Sequence, residues 1–180
     1  PPGLFQDSIS GSICYSSTLD YLNASASSCM SDCNGNLLFY TNGWIAWNRK
    51  HQKMSHYCFN DSNSTIGTFS GRVKTLRFIN NDSLYYIFYS TLYWGLRYAV
   101  VNLKADSGNG DIISKSHFIN NYSIIYTPEL IKHANDTDYW LVCKPNASQI
   151  YSYLITSTGI SLNPVISTVP GFKSNEYPLK

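Results

Sequence analysis

The sequence predicts an all-β protein made of repeated antiparallel units, and three observations support this. Three segments begin with Asn, Asp, Gly or Ser and run into a short aromatic and aliphatic strand: Asn34–Asn42, Asn81–Ser90 and Asp136–Lys144. A second strand of similar composition follows each of them: Trp44–Asn48, Leu96–Asn102 and Ile150–Thr156. The units recur roughly every 50 residues, a period typical of β-propeller blades. We therefore expect β-propeller-like blades that form an incomplete ring, because typical propellers have four to eight blades.

The first unit spans roughly 13–70 and follows an extended lead-in at 1–12. Its strands are predicted at Ile13–Leu22, Ser25–Cys33, the segment after Asn34-Gly35, and Trp44–Asn48. Asn34-Gly35 predicts a tight type I′ hairpin turn, because both residues tolerate positive φ. The polar stretch Arg49–Ser70 is expected to connect this unit to the next.

The second unit, roughly 71–125, begins with alternating polar and apolar residues at Arg72–Ile79, which predict a half-buried strand. Leu84–Ser90 and Gly95–Leu103 are its next strands, and Ser107–Asp111 is a turn. The chain between Tyr89 and Gly95 is expected to be a loop.

The third unit, roughly 126–180, has predicted strands at Leu130–His133, Tyr139–Cys143 and Ile150–Thr156. Glu129–Ala134 has a helical turn as its alternative, although it is short for a helix. Pro164 and Pro170 mark the exit of this unit. No long helix is predicted. Six aromatic residues are expected in or next to buried positions: Phe39, Tyr86, Phe88, Tyr98, Trp140 and Tyr153.

Composition excludes several classes of function. Charged residues make up 13% of the chain, about half the norm of roughly 25% for globular proteins. A net charge of +2 without a cluster of Lys and Arg argues against nucleic acid as a partner. No apolar run is long enough to predict a transmembrane segment. The first residues do not form a signal peptide, and we expect the chain to be a segment of a longer protein.

Six segments carry a resemblance to a known family: SDCNGNLLFYTNG (31–43), WNRKHQKM (47–54), YYIF (85–88), LRYAVVNLKADSGNGDI (96–112), HANDTDYWLVCKPNASQIYSYLITSTGI (133–160) and NPVIS (163–167). Their order and spacing resemble the propeller-like N-terminal region of Bacteroidota gliding-motility-associated surface proteins, which carry a C-terminal type IX secretion sorting domain. The resemblance implies an exported protein at the outer-membrane or cell surface, with further domains of the same parent chain. It implies no catalytic residue and no cofactor. Cys33 departs from the family, which usually has a small residue in this turn.

An aromatic group gives the candidate ligand contact. Tyr89, Tyr93 and Trp94 fall in the expected loop beside Gly95, where burial is not forced. Aromatic rings with polar tips are suited to stacking on sugars and to contacts with proteins. The alternative is that these residues pack beneath the edge of a blade.

The cysteines and histidines form a candidate metal site. Cys29 and Cys33 precede His51, His56 and Cys58, and zinc prefers thiolate and imidazole ligands. The spacing departs from common zinc loops, so no metal is predicted. The alternatives are disulfides among Cys29, Cys33 and Cys58, or buried thiols beside solvated histidines.

Acidic residues and sequons have simpler explanations. Six aspartates occupy turn contexts, where Asp bonds its own backbone: Asp32, Asp61, Asp82, Asp111, Asp136 and Asp138. Seven Asn-x-Ser/Thr sequons begin at Asn23, Asn60, Asn63, Asn81, Asn121, Asn135 and Asn146.

We expect a non-enzymatic binding or adhesion module for glycan or protein ligands. The alternatives are a glycan-processing enzyme fragment, similar to a sialidase or glycosidase, and a glycosylated viral or eukaryotic ectodomain.

Overall fold

A computed structural model describes residues 27–43, 45–55, 72–91, 95–121, 128–146 and 148–169. These residues form three antiparallel sheets, which confirms the all-β prediction. The described strands do not close into a barrel or ring. The strand predicted at Ile13–Leu22 and most of the connection after Arg49 lie outside the described residues. In the part of the chain described, no helix is long and apolar enough to cross a bilayer.

Sheet 1 contains β1 (Ser28–Ser31), β2 (Leu37–Thr41) and β3 (Ala46–Asn48) in that order. The prediction of a type I′ turn at Asn34-Gly35 was wrong, because Gly35 (φ 82°) is the only one of the two residues with positive φ. The carboxylate of Asp32 accepts the N–H groups of Asn34 (2.9 Å) and Asn36 (2.8 Å). These bonds stabilise a wider turn than the two-residue hairpin.

Sheet 2 is a four-stranded meander of β4 (Arg72–Arg77), β5 (Leu84–Thr91), β6 (Gly95–Asn102) and β7 (Asp111–Asn120). A four-residue helical turn, α1 (Ala105–Gly108), connects β6 to β7 where a turn was predicted. Both β5 and β6 have eight residues and pair along their whole length. Strand β7 is the last in the order β4-β5-β6-β7, so it forms one edge of the sheet, and it has ten residues.

Sheet 3 runs from β8 (Glu129–Lys132) through β9 (Tyr139–Cys143) to β10 (Gln149–Thr156), which pairs with both β11 (Gly159–Ile160) and β12 (Val165–Thr168). The helical alternative for Glu129–Ala134 was wrong, because the first four of these residues pair with β9. Strand β12 lies between the two prolines that were expected only to mark the exit.

Sheet 2 lies between the other two sheets, and side chains alternate between its faces along each strand. One face packs on sheet 1 through a buried cluster that includes Phe39, Tyr85 and Ile87. The opposite face packs on sheet 3 through a cluster that includes Phe88, Leu141 and Tyr153. Of the six aromatic residues expected at or near buried positions, Tyr98 and Trp140 are only half-buried.

The first strands of successive sheets contact one another. The hydroxyl groups of Ser28 in β1 and Thr75 in β4 hydrogen-bond at 2.7 Å. The ammonium of Lys74 in β4 pairs with the carboxylate of Glu129 in β8 at 2.9 Å. The first strand of each sheet is thus next to the first strand of its neighbour, whereas β7 and β12 lie on the far side of sheets 2 and 3.

Candidate functional site

Tyr89 is not in a loop, which corrects the prediction for the aromatic group. It lies in β5, pairs with Arg97 of β6 and is 2% exposed. At Tyr89 the chain is extended strand, because this part of β5 pairs with β4 on one side and with β6 on the other. Tyr93 and Trp94 lie outside the described residues, so ligand contact through them stays a prediction.

The hydroxyl of Tyr89 supports a bulge in β7. It accepts the backbone N–H of Ser116 at 3.2 Å. Ser116 has a φ of 62°, a left-handed conformation that a non-glycine residue adopts rarely. Here the pairing of β6 with β7 shifts, so that the one residue between Tyr98 and Val100 of β6 is opposite two residues of β7, Lys115 and Ser116. Tyr89 is thus one of the groups that hold the irregular part of the edge strand.

The bulge brings Ser114 and His117 together. Residues three apart in a regular strand point to opposite faces, but an extra residue reverses the alternation. The hydroxyl of Ser114 hydrogen-bonds Nε2 of His117. The imidazole is also stacked on the Tyr98 ring, with the ring centres 4.8 Å apart and an angle of 22° between the planes. Sequence reasoning missed this pair because its spacing does not fit a regular strand.

The other side of β7 presents an exposed aromatic ring. Phe118 is 51% exposed, and the guanidinium of Arg97 lies 3.9 Å from its ring centre. Arg97 itself is buried, so the cation covers one ring face from within the sheet. Ile113, at 53% exposed, lies further along the strand. The residues Asp111–Lys115 line a shallow cleft of about 260 Å³.

We call the exposed side chains of Ile113, His117 and Phe118 and the half-buried side chain of Ser114, together with this cleft, the β7 surface. It includes both sides of the edge strand, with the Ser114–His117 pair on one side and Phe118 on the other. It combines an aromatic ring, an aliphatic side chain, a hydroxyl and an imidazole. Aromatic rings stack on apolar faces, while hydroxyl and imidazole groups both donate and accept hydrogen bonds. This chemistry is suited to a ligand with alternating apolar and hydroxyl-bearing surfaces.

The far end of β7 is anchored to sheet 3. Nδ2 of Asn120 donates to the hydroxyl of Tyr153 at 3.0 Å and lies 3.8 Å from Sγ of Cys143. Burial raises the pKa of the Cys143 thiol to about 12, so the thiol stays protonated at neutral pH. Gly95 passes so close to Asn120 that a Cβ on it would lie 2.0 Å from the Asn120 carbonyl oxygen.

The candidate metal ligands are only partly described. Cys29 in β1 and Cys33 in the following turn are exposed free thiols. His51 follows β3, where its Nδ1 lies 3.3 Å from the hydroxyl of Tyr40. Within the described residues no three His, Cys, Asp or Glu side chains are grouped to hold a metal ion. Cys29 and Cys33 do not form a disulfide with each other. His56 and Cys58 lie outside the description, so the metal site and the pairing of Cys58 stay predictions.

Aspartates in the described turns make local bonds. Hydrogen bonds, above all the one from the Asn36 side chain, lower the pKa of Asp32. Asp82 pairs with Arg77 at 3.0 Å, and Asp136 pairs with Lys132 at 3.1 Å. Of these three acids, Asp32 has a carboxylate that bonds the backbone of its own turn, as predicted, whereas the carboxylates of Asp82 and Asp136 form ion pairs. The turn predicted at Asp111 was wrong, because Asp111 is the buried first residue of β7 and its carboxylate accepts the N–H of Ile112. Asp61 lies outside the described residues.

Three sequons also form turns. In each, Oδ1 of the asparagine accepts the backbone N–H of the Ser or Thr two residues later, at 2.9–3.1 Å. The three asparagines are Asn81, Asn135 and Asn146. This is an Asx turn, which needs an Asn or Asp at its first position. Turn formation therefore accounts for these three asparagines without a glycan.

A second cleft, of about 540 Å³, lies at the end of sheet 2 where β4 turns into β5 and β6 leads into α1. Its lining residues are Asn80–Ser83, Leu103 and Lys104. Most of these side chains are polar and several bond within their own turns, as Asn81 does with Ser83. Because the cleft has no exposed aromatic ring among these residues, the β7 surface is the stronger candidate.

Comparisons with known proteins return no match among family models, curated proteins or solved structures.

Proposed function

We propose that this chain is a non-enzymatic binding or adhesion module of an exported cell-surface protein, and that the β7 surface contacts its glycan or protein ligand. The carrying observation is the combination on one edge strand of the half-exposed Phe118 ring with the bonded Ser114–His117 pair. Exposed apolar groups beside fixed polar groups are typical of binding surfaces.

The surface is held before any ligand arrives. Tyr89 supports the bulge, Tyr98 stacks on His117, and Arg97 lies against Phe118. A ligand that meets side chains already in place loses less free energy to ordering them. The buried strands β5 and β6 therefore act as the scaffold, and β7 carries the contacts.

The three sheets are proposed to be successive blades of a β-propeller-like scaffold. Two features support this. Each sheet is an antiparallel meander, and the first strands of neighbouring sheets contact one another through Ser28–Thr75 and Lys74–Glu129. In such an arrangement the first strands surround the axis and β7 lies at the outer rim. The units at 13–70, 71–125 and 126–180 would each supply one blade.

A glycan array and a screen of surface-exposed proteins test the proposal. The wild-type chain is expected to bind at least one class of ligand, and Phe118→Ala to weaken that binding by about tenfold or more. Ile131→Ala is the matched control, because Ile131 is 52% exposed but lies in sheet 3. Equal binding by wild type and Phe118→Ala, or no binding on either screen, would contradict the proposal.

A hydrolytic enzyme is the second candidate, and the Ser114–His117 pair favours it. A serine hydroxyl bonded to an imidazole is the first half of an acyl-transfer triad. Among the described residues no carboxylate bonds to His117, although an acid normally orients the base. Turnover of acyl esters that disappears in Ser114→Ala would establish this candidate in place of the binding module.

A further inference from the structure

Three asparagines of this chain are followed directly by glycine: Asn34, Asn42 and Asn109. An asparagine in this position can deamidate without an enzyme, because the backbone nitrogen of the next residue can attack its side-chain amide carbon. Glycine permits the attack best, since it has no side chain to block the approach and the widest range of backbone conformations. The sequence makes all three asparagines candidates, and their surroundings in the fold decide between them.

Asn42 is held inside the protein. It is 3% exposed, and its Oδ1 accepts the N–H of Ile45 at 2.8 Å. The N–H of Gly43 donates to Oγ1 of Thr41 at 3.0 Å, and a Cβ on Gly43 would contact Val73. The attacking nitrogen and the amide carbon are therefore both fixed in a buried turn, away from the water that the reaction consumes.

Asn109 is held at the end of α1. Its Nδ2 donates to the Asp106 carboxylate at 3.2 Å, and the N–H of Gly110 donates to the Ala105 carbonyl oxygen at 3.0 Å. Gly110 is buried, and the Leu103 side chain lies 3.6 Å from the place where a Cβ on this glycine would be. Attack on the Asn109 side chain would have to break both hydrogen bonds and displace close packing.

Asn34 has neither kind of constraint. Its side chain is exposed, and no described residue hydrogen-bonds its side-chain amide. A Cβ added to Gly35 would meet no atom within 4 Å, so the space around this turn is open to water. The N–H of Gly35 donates to the Asp32 carbonyl oxygen at 3.1 Å, but this bond lies in an exposed turn, where local opening costs little free energy.

From these surroundings we propose that Asn34 is a site of spontaneous deamidation in the folded protein, with water as the co-reactant. The Gly35 nitrogen forms a bond to Cγ of Asn34, the bond from Cγ to Nδ2 breaks, and ammonia leaves with the proton of the Gly35 amide. The intermediate is a five-membered succinimide ring. Water then opens the ring at either of its carbonyl carbons, which leaves aspartate or isoaspartate at this position.

Isoaspartate would alter the turn between β1 and β2, because it adds a carbon atom to the backbone. Three bonds close this turn: the N–H of Asp32 to the Asn36 carbonyl oxygen (2.9 Å), the N–H of Gly35 to the Asp32 carbonyl oxygen (3.1 Å), and the N–H of Asn36 to the Asp32 carboxylate (2.8 Å). The longer backbone does not fit all three. Either product also adds a carboxylate close to that of Asp32, and the two like charges repel.

Incubation of the folded chain at neutral pH, followed by peptide mapping with mass spectrometry, tests the assignment. Aspartate and isoaspartate should accumulate at Asn34, while Asn42 and Asn109 stay amides. The matched control is the same chain unfolded in guanidinium chloride, where each of the three asparagines is followed by glycine and no tertiary contact holds it. In that control the three sites are expected to react at similar rates.

Hydrogen–deuterium exchange measures the effect on the turn. After incubation, the Asn36 amide of the wild-type chain should exchange faster than in fresh protein, whereas Asn34→Ser keeps a residue that favours turns and should show no such change. The proposal is overturned if Asn34 stays an amide in the folded chain, or if Asn42 or Asn109 reacts there as fast as Asn34. An excess of reaction at Asn34 that is equally large in guanidinium chloride would also overturn it, because the fold would then not be what selects the site.

Discussion

Replacing Tyr89 with Phe separates a positioning role for this residue from a direct contact with ligand. The change removes only the hydroxyl, which accepts the N–H of Ser116 at 3.2 Å. A net contribution of about 0.5–1.5 kcal/mol is usual for one neutral hydrogen bond. Ser116 is half-buried, so water can replace part of the bond and the loss should be about 1 kcal/mol or less.

This loss predicts a measurable but small change in stability. For a chain of this size, about 1 kcal/mol corresponds to a melting temperature lower by about 2–4 °C. Hydrogen–deuterium exchange should show the larger effect, with faster exchange at the Ser116 amide and its neighbours in β7. Ligand binding should weaken as well, because the bulge aligns Ser114 with His117.

Tyr85→Phe is the matched control. Tyr85 is buried on the same strand and in the same cluster, but its hydroxyl donates to the Asp82 carbonyl oxygen at 3.3 Å, far from the bulge. It should lower stability similarly and leave the Ser116 amide unchanged. The reasoning is refuted if Tyr89→Phe leaves exchange in β7 unaltered, or if both variants change it equally.

Three further predictions concern the core and its thiol. Gly95→Ala should lower the free energy of unfolding by at least about 3 kcal/mol, because Gly95 has a φ of 75° and the new Cβ would clash with the Asn120 carbonyl oxygen. Denaturant unfolding measures this loss, and a midpoint equal to that of the wild type would contradict the close approach of the two backbones. Leu141→Ala, fully buried between sheets 2 and 3, should cost about 2–5 kcal/mol. The control is Val142→Ala, because Val142 is half-buried on the face of sheet 3 opposite to Leu141. It should lower the free energy of unfolding much less, and equal losses would argue against the packing of Leu141 between sheets 2 and 3. Burial raises the Cys143 pKa from 9.0 to about 12, so folded protein should keep this proton while unfolded chain loses it near pH 9. Stability should therefore fall as pH rises above about 9, less so in Cys143→Ala, and site-resolved alkylation at pH 8 should modify Cys29 and Cys33 before Cys143.

The strands were predictable because their local patterns and their burial agree. The alternation in Arg72–Ile79 and the aromatic run Leu84–Ser90 both correspond to strands of sheet 2. Strand β12 was missed because it is short and lies between Pro164 and Pro170, which remove backbone donors and usually end a strand. The sequence predicted a turn at Asn34-Gly35 correctly but gave the wrong turn type. The Asp32 carboxylate accepts backbone N–H groups of this turn, and the two-residue pattern does not include that contact.

The β7 surface was beyond sequence reasoning for a different reason. Ser114 and His117 come together only because Ser116 adopts a positive φ, and a serine carries no local signal for this. Tyr89 was singled out for its ring, but the structure uses its hydroxyl to hold that bulge. Contacts between distant strands decide both roles, and period-two patterns do not encode them.

The most direct test of the proposed binding function is hydrogen–deuterium exchange on the chain with and without its best ligand from the glycan and protein screens. The account predicts slower exchange within Asp111–Asn120 and no comparable change in β8 or β12. Protection confined to sheet 3 or to the Asn80–Ser83 turn, with β7 unaffected, would contradict the claim that the β7 surface binds the ligand.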